Sequence, residues 1–187
     1  IDISGAKEDS KLKPLKFHYN YGVSKISFSS STMQATVDAG SWLEVDGDRY
    51  DLKTVAFRTP GEHRINGLPY EMEMQLYHEE LSGRKLMLSV QITRGKSNPE
   101  LKRIAALLPR HEDVTSEIER LHWNSFLPTK KTYWIYHGSM STPPCDEGVQ
   151  WIVFTNTMTA SSQEIDAFAK MQKDNVRPVQ PLNNRRI

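Results

Sequence analysis

The clearest pattern in the chain is the run YEMEMQLYH (70–78), in which Met72, Met74 and Leu76 alternate with Glu71, Glu73, Gln75 and Tyr77. Apolar residues at every second position place the two sets on opposite faces of a strand. The runs ATVDAG, SWLEVDG, KLMLSVQI, TYWIYHG and VQWIVFTNTMT alternate or are rich in β-formers, and each predicts a strand. The long run DRYDLKTVAFR (48–58) carries Tyr50, Leu52 and Thr54 on one parity, continued by Ala56 and Arg58. Only two stretches have helical spacing. PELKRIAALL (99–108) opens on a proline and is stopped by Pro109. SSQEIDAFAKMQ (161–172) offers Ser161 or Ser162 as a cap, acids in its first turns, and Lys170 and Lys173 near its C-terminal end. The serines from Ser29 to Ser31 read as a loop. Strands dominate, so the expected fold class is mainly β with peripheral helices around a large, mostly antiparallel sheet. No linker divides the chain, which predicts one domain over residues 1–187.

Composition narrows the function. A length of 187 residues suits one domain with a single large core. With 24 basic and 23 acidic residues the net charge is +1, which speaks against a nucleic-acid partner. No run is apolar enough to span a bilayer. No signal-peptide pattern is present, and the abrupt opening Ile1-Asp2-Ile3 leaves room for an upstream segment. Cys145 is the single cysteine, so neither an internal disulfide nor a cysteine metal pair can form. It reads either as a small buried apolar residue or as the partner of a cysteine in a segment outside this sequence. The six histidines (His18, His63, His78, His111, His122 and His137) show no H-x-H or H-E-x-x-H spacing. His63 and His78 read as structural, and His111 and His122 as surface residues. Trp123 and Phe126 in LHWNSFLP read as core or rim packing, with a contact surface as the alternative.

Three stretches carry a resemblance: FRTPGEHRING (57–67), GSMSTPPCDEGVQWIVF (138–154) and NVRPVQPLNNRRI (175–187). In order, spacing and wording they resemble the α-class carbonic anhydrases, and the resemblance covers essentially the whole chain. The opening IDI resembles the tail of that family's Q-S-P-I-D-I, and the short Thr59-Pro60-Gly61 link resembles bacterial members. The resemblance implies a large twisted sheet and a conical cleft. At its bottom the family holds zinc on three histidines, and the metal-bound hydroxide attacks carbon dioxide. It also implies a family segment ahead of Ile1 that this sequence does not include.

Carried over position by position, the three zinc-ligand positions fall on Ala56, Arg58 and Gln75. None is a histidine. The resemblance places the proton-shuttle position at Ser41 and the hydroxide-orienting position at Ser141, beside Thr142. Glu62 is the acid expected to hold the Ser141 hydroxyl. Tyr77, Met87 and Trp151 fall on the pocket wall, and Glu73 on the acid that steadies the third ligand. Without a metal, Glu73 needs another counter-charge, so Arg58 is expected to pair with Glu73, Glu62 or both; the alternative sends Arg58 into solvent. These readings predict a chain that is not an enzyme and carries no metal or other cofactor. It would act as a protein-binding or structural module within a larger protein or assembly, with a protein partner and no nucleic acid. The alternatives are a small-molecule, anion or glycan binder using the cleft with Arg58 as anchor, and a residual hydratase or an esterase working through Ser141. Because the T-P-P-C cysteine of secreted members bonds to one upstream, the resemblance also implies a periplasmic or secreted setting.

Overall fold

The computed structural model describes residues 1–29, 32–109, 111, 114–172 and 175–187. The strands are β1 (Asp2–Ile3), β2 (Lys16–His18), β3 (Tyr21–Ser29), β4 (Thr32–Val37), β5 (Trp42–Val45), β6 (Asp48–Arg58), β7 (Arg64–Ile65), β8 (Leu68–Pro69), β9 (Met72–Glu79), β10 (Lys85–Arg94), β11 (Thr115–His122), β12 (Tyr133–Ser139), β13 (Glu147–Phe154) and β14 (Met158–Ala160). The helices are α1 (Pro99–Ala106) and α2 (Ser162–Met171). Eleven strands form one sheet along the path β11-β3-β4-β6-β9-β10-β13-β12, with β14 beside β10, and β2 and β5 extending from β6. The sheet is mixed. Most neighbours are antiparallel, but β10 runs parallel to both β13 and β14. The run VQWIVFTNTMT therefore supplies two strands, β13 and β14, and both pair with β10.

One face of the sheet packs under the helices. Met72, Met74 and Leu76 of β9, Leu86, Leu88, Val90 and Ile92 of β10, and Leu101, Ile104, Ile165 and Phe168 of α1 and α2 share one buried cluster. Trp123 and Phe126 form a single 3₁₀ turn after β11 and belong to the same core, so they are not a contact surface. Asn98 starts α1: its side chain accepts from the backbone N–H groups of Glu100 and Leu101, both at 3.0 Å, ahead of Pro99. The sequence reading named the proline and missed this cap. Asn98→Ala removes both acceptor bonds and should lower the free energy of unfolding by about 1–2 kcal/mol, read as a shift in the urea midpoint. At α2 Ser161 is the cap, and a reciprocal bond from Ser161 N–H to Glu164 completes a capping box. Ser29 ends β3 rather than lying in a loop; Ser30, Ser31 and Lys173 lie outside the described residues.

Strand β6 departs from its sequence pattern in a way that builds the cleft. Its pairing with β9 slips between Leu52 and Thr54. Before the slip Tyr50 and Leu52 face the core; after it Val55 and Phe57 do. The extra residue exchanges the faces. Thr54, Ala56 and Arg58 are thereby turned to the opposite side of the sheet.

Candidate functional site

The register lines up three rows of side chains on that side. The first runs Arg58–Glu73–Gln91, the second Gln34–Ala56–Gln75–Ser89, and the third Thr54–Tyr77–Met87–Trp151–Tyr136. In the first half of β9 the polar residues are as deeply buried as the apolar ones: Glu73 is 0% and Gln75 1% exposed. At its centre, from Met72 to Leu76, the alternation in YEMEMQLYH thus records two buried faces, one apolar and one polar.

Glu73 is the hub of the polar face. Its Oε2 accepts from the backbone N–H of Glu62 (2.8 Å) and of His63 (2.9 Å). Its Oε1 accepts from His63 Nδ1 (2.7 Å), Gln75 Nε2 (3.0 Å) and Ser89 Oγ (2.8 Å). Burial alone would push this carboxyl up, but the charge and hydrogen bonds of His63, with help from Gln75, hold it well below the ordinary carboxylate range. The approach depends on Gly61. A Cβ there would lie 3.2 Å from Gln91 Oε1 and 3.4 Å from both Glu73 Cβ and the Tyr70 carbonyl oxygen, so a larger residue would crowd the loop off the carboxylate. The other ring nitrogen of His63 meets the Tyr136 hydroxyl at 2.7 Å.

Arg58 is 3% exposed. It donates from Nη1 to Thr32 Oγ1 (2.7 Å) and the Asn175 carbonyl (2.9 Å), and from Nη2 to Ser141 Oγ (3.3 Å); its Nε–H finds no acceptor among the described residues. The expected ion pair with Glu73 or Glu62 is not formed. Glu73 is saturated by five donors. Glu62 accepts from Gln75 Nε2 (2.7 Å) and the Arg177 backbone N–H (2.9 Å). Nor does Arg58 reach solvent.

Ser141 also departs from expectation. Its hydroxyl donates to Gln75 Oε1 at 3.0 Å, and Gln75 passes the connection on to Glu62. Gln75 therefore stands between the two residues that the resemblance joins directly. Ser41 is not part of the group: its hydroxyl meets the Asn20 backbone, and its carbonyl accepts from Leu52, before the slip in β6. Thr142 is exposed, in the turn closed by Cys145 N–H to the Thr142 carbonyl. Trp151 donates to the Ser139 carbonyl at 2.9 Å, and Tyr77 turns its hydroxyl to Glu79 at 2.8 Å. Met87 is buried in the third row. Sequence reasoning missed Thr32, Ser89, Asn175 and Arg177. The last two lie in NVRPVQPLNNRRI, a motif whose wording was noticed without roles for its residues.

Chemically, the cleft floor is a chain of hydrogen bonds from Arg58 through Ser141 and Gln75 to two carboxylates. It does not fit a zinc ion. Ala56 has no donor atom, and the guanidinium of Arg58 has no lone pair to give. The one oxygen of Gln75 is already taken by Ser141. Among the described residues no group of three or more His, Cys, Asp and Glu stands together to hold a metal. Beside the floor, bordered by Glu62, Ser141 and Arg177, lies a cavity of about 60 Å³.

Comparison with known proteins places this geometry in a family. A carbonic anhydrase of Klebsiella pneumoniae is 36% identical over 178 residues, 93% of this chain and 72% of that protein. One from Pectobacterium atrosepticum is 31% identical over 176 residues, with the same coverage of each chain. The α-carbonic anhydrase of Thermovibrio ammonificans, solved with the inhibitor sulfanilamide, superposes with a TM-score of 0.95 at 34% identity, covering 100% of this chain and 84% of that one. These findings overturn the expectation that the chain is not an enzyme: relatives this similar over most of its length are themselves named carbonic anhydrase, and nothing in them shows that activity has gone. The family model described as eukaryotic-type carbonic anhydrase matches residues 1–187, and the chain belongs to that family.

Proposed function

We propose that this domain works by binding, as a protein-binding or structural module of a larger protein or assembly, on a carbonic anhydrase scaffold whose three zinc-ligand positions have become Ala56, Arg58 and Gln75. The observation that carries the reading is the hydrogen-bonded closure of the cleft floor by Arg58, Ser141 and Gln75. Two of the three guanidinium nitrogens are spent on protein acceptors, so Arg58 is a poor anchor for an anion or a glycan. The adjoining cavity of about 60 Å³ is well below the ~300 Å³ at which small-molecule sites usually begin. The scaffold around the floor is kept, down to the His63–Glu73 contact at 2.7 Å and the two buried clusters.

The deciding experiment is co-purification from the native source at native expression level, with carbon dioxide hydration measured on the same preparation. A defined partner recovered in fixed ratio is the expected result. A free monomer with no partner in fixed ratio would overturn this reading, whatever its rate of carbon dioxide hydration.

A further inference from the structure

We infer that Arg58 serves as a fixed internal cation that ties the cleft floor together and makes the fold independent of a zinc ion. The inference rests on the geometry of the floor and does not require the binding reading above. Arg58 ends β6, where four pieces of chain meet: Thr32 opens β4, Glu73 lies opposite on β9, Ser141 follows β12, and Asn175 follows α2. One guanidinium reaches three of them. The chain separation is large: 26 residues to Thr32, 83 to Ser141 and 117 to Asn175. Thr32 lies on β4, which already pairs with β6, but the bonds to Ser141 and Asn175 bring in two segments that no strand ladder joins to β6.

The charge is balanced without direct pairing. A buried guanidinium normally takes a carboxylate. Here it takes two hydroxyls and a carbonyl, and the two buried acids lie two hydrogen bonds beyond Ser141, through Gln75. A planar cation with fixed N–H directions suits three acceptors in three places; a lysine ammonium is a single point and does not. A zinc ion on the same floor would meet this cation rather than ligands. The same hydrogen bonds that a metal site would use to orient its histidines now orient Gln75, from Glu73 on one side and Ser141 on the other.

The test uses the protein as it stands, with zinc chloride as the probe. After dialysis against excess zinc the protein should retain far less than one ion per chain, and its Tm should be the same in zinc and in EDTA. Arg58→Lys keeps the charge and loses the fork; Thr32→Val keeps the shape and removes one acceptor. Each should lower Tm by about 2–4 °C or more, the shift that a single lost interaction gives a chain of this size. The two losses should be less than additive in the double variant, because they share a bond. The inference is overturned if the unmodified protein retains one zinc per chain with a Tm that rises in zinc and falls in EDTA, since an ion that binds only the folded state must stabilise it. It is equally overturned if Thr32→Val and Arg58→Lys both leave Tm unchanged.

Discussion

Glu73→Leu should cost at least about 4 kcal/mol of unfolding free energy and leave little folded protein at physiological temperature. Five donors end on this carboxylate, all within 3.0 Å and all in the interior. Leucine is close in volume, so the loss is one of bonding rather than packing. Two of the donors are consecutive backbone N–H groups, those of Glu62 and His63, which cannot turn to find another acceptor. Each buried donor left unpaired costs on the order of 1–3 kcal/mol, and five such costs exceed the margin of a typical domain even after partial relaxation. Ser89→Ala removes one donor and leaves the hub intact, so it should cost about 1 kcal/mol. Urea unfolding followed by tryptophan fluorescence measures both. A Glu73→Leu protein as stable as Ser89→Ala would mean that the loop 61–63 finds other acceptors, and Glu73 would no longer be the hub.

How far the sequence could be read depends on which physical signal each residue sends. The apolar stripe Met72, Met74 and Leu76 is a period-2 signal, and it located β9 and its core face. The same pattern says nothing of whether Glu73 and Gln75 meet water or protein, because periodicity registers polarity and not burial. Strands β2, β3 and β11 send a weak signal: β2 buries none of its three residues, and exposed and buried positions mix along β3 and β11. The face of Ala56 and Arg58 followed from neither parity nor composition. It is set by the slip at Lys53, and a one-residue irregularity leaves no mark in a hydrophobic pattern. The motif alignment did bring Glu62, Glu73, Gln75, Arg58 and Ser141 to one floor, but it could not say who bonds to whom. Opposite charges suggested Arg58 to Glu73. The structure instead gives Glu73 to His63 and two backbone amides, which sit next to it through the Gly61 turn, and sends Arg58 to Thr32 and Asn175. The alignment placed Ser41 by its position after Gly40, and it could not show that its hydroxyl turns to the Asn20 backbone rather than to the floor.

Acidification should destabilise the fold well before the carboxylates titrate, and His78 is the reason. This ring is fully buried. Its Nδ1–H donates to the Leu76 carbonyl at 3.0 Å, a group that can only accept, so Nε2 carries the lone pair and accepts the Tyr19 hydroxyl at 2.7 Å. Burial holds its pKa down at about 3, against 6.5 for an ordinary histidine, with the Leu76 carbonyl opposing only in part. The unfolded chain therefore takes up a proton below pH 6.5 that the folded chain refuses until about pH 3. Stability is complete above the upper value and declines as pH falls through that window, by ~1.4 kcal/mol per unit and on the order of 4–5 kcal/mol in all. Glu73, also held low, adds a loss of the same sign, but only below its unfolded value of 4.5. Between pH 6.5 and 4.5 the two are separable. His78→Gln stays neutral throughout while keeping a donor and an acceptor. It should be less stable than the parent at pH 7, yet lose stability less steeply on acidification, by about 1 kcal/mol per pH unit in that interval. Urea midpoints at pH 7, 6 and 5 for the two proteins give the slopes directly. Equal slopes would transfer the acid sensitivity to another group, and the pairing of Tyr19 with a neutral His78 would then need no protection from protonation.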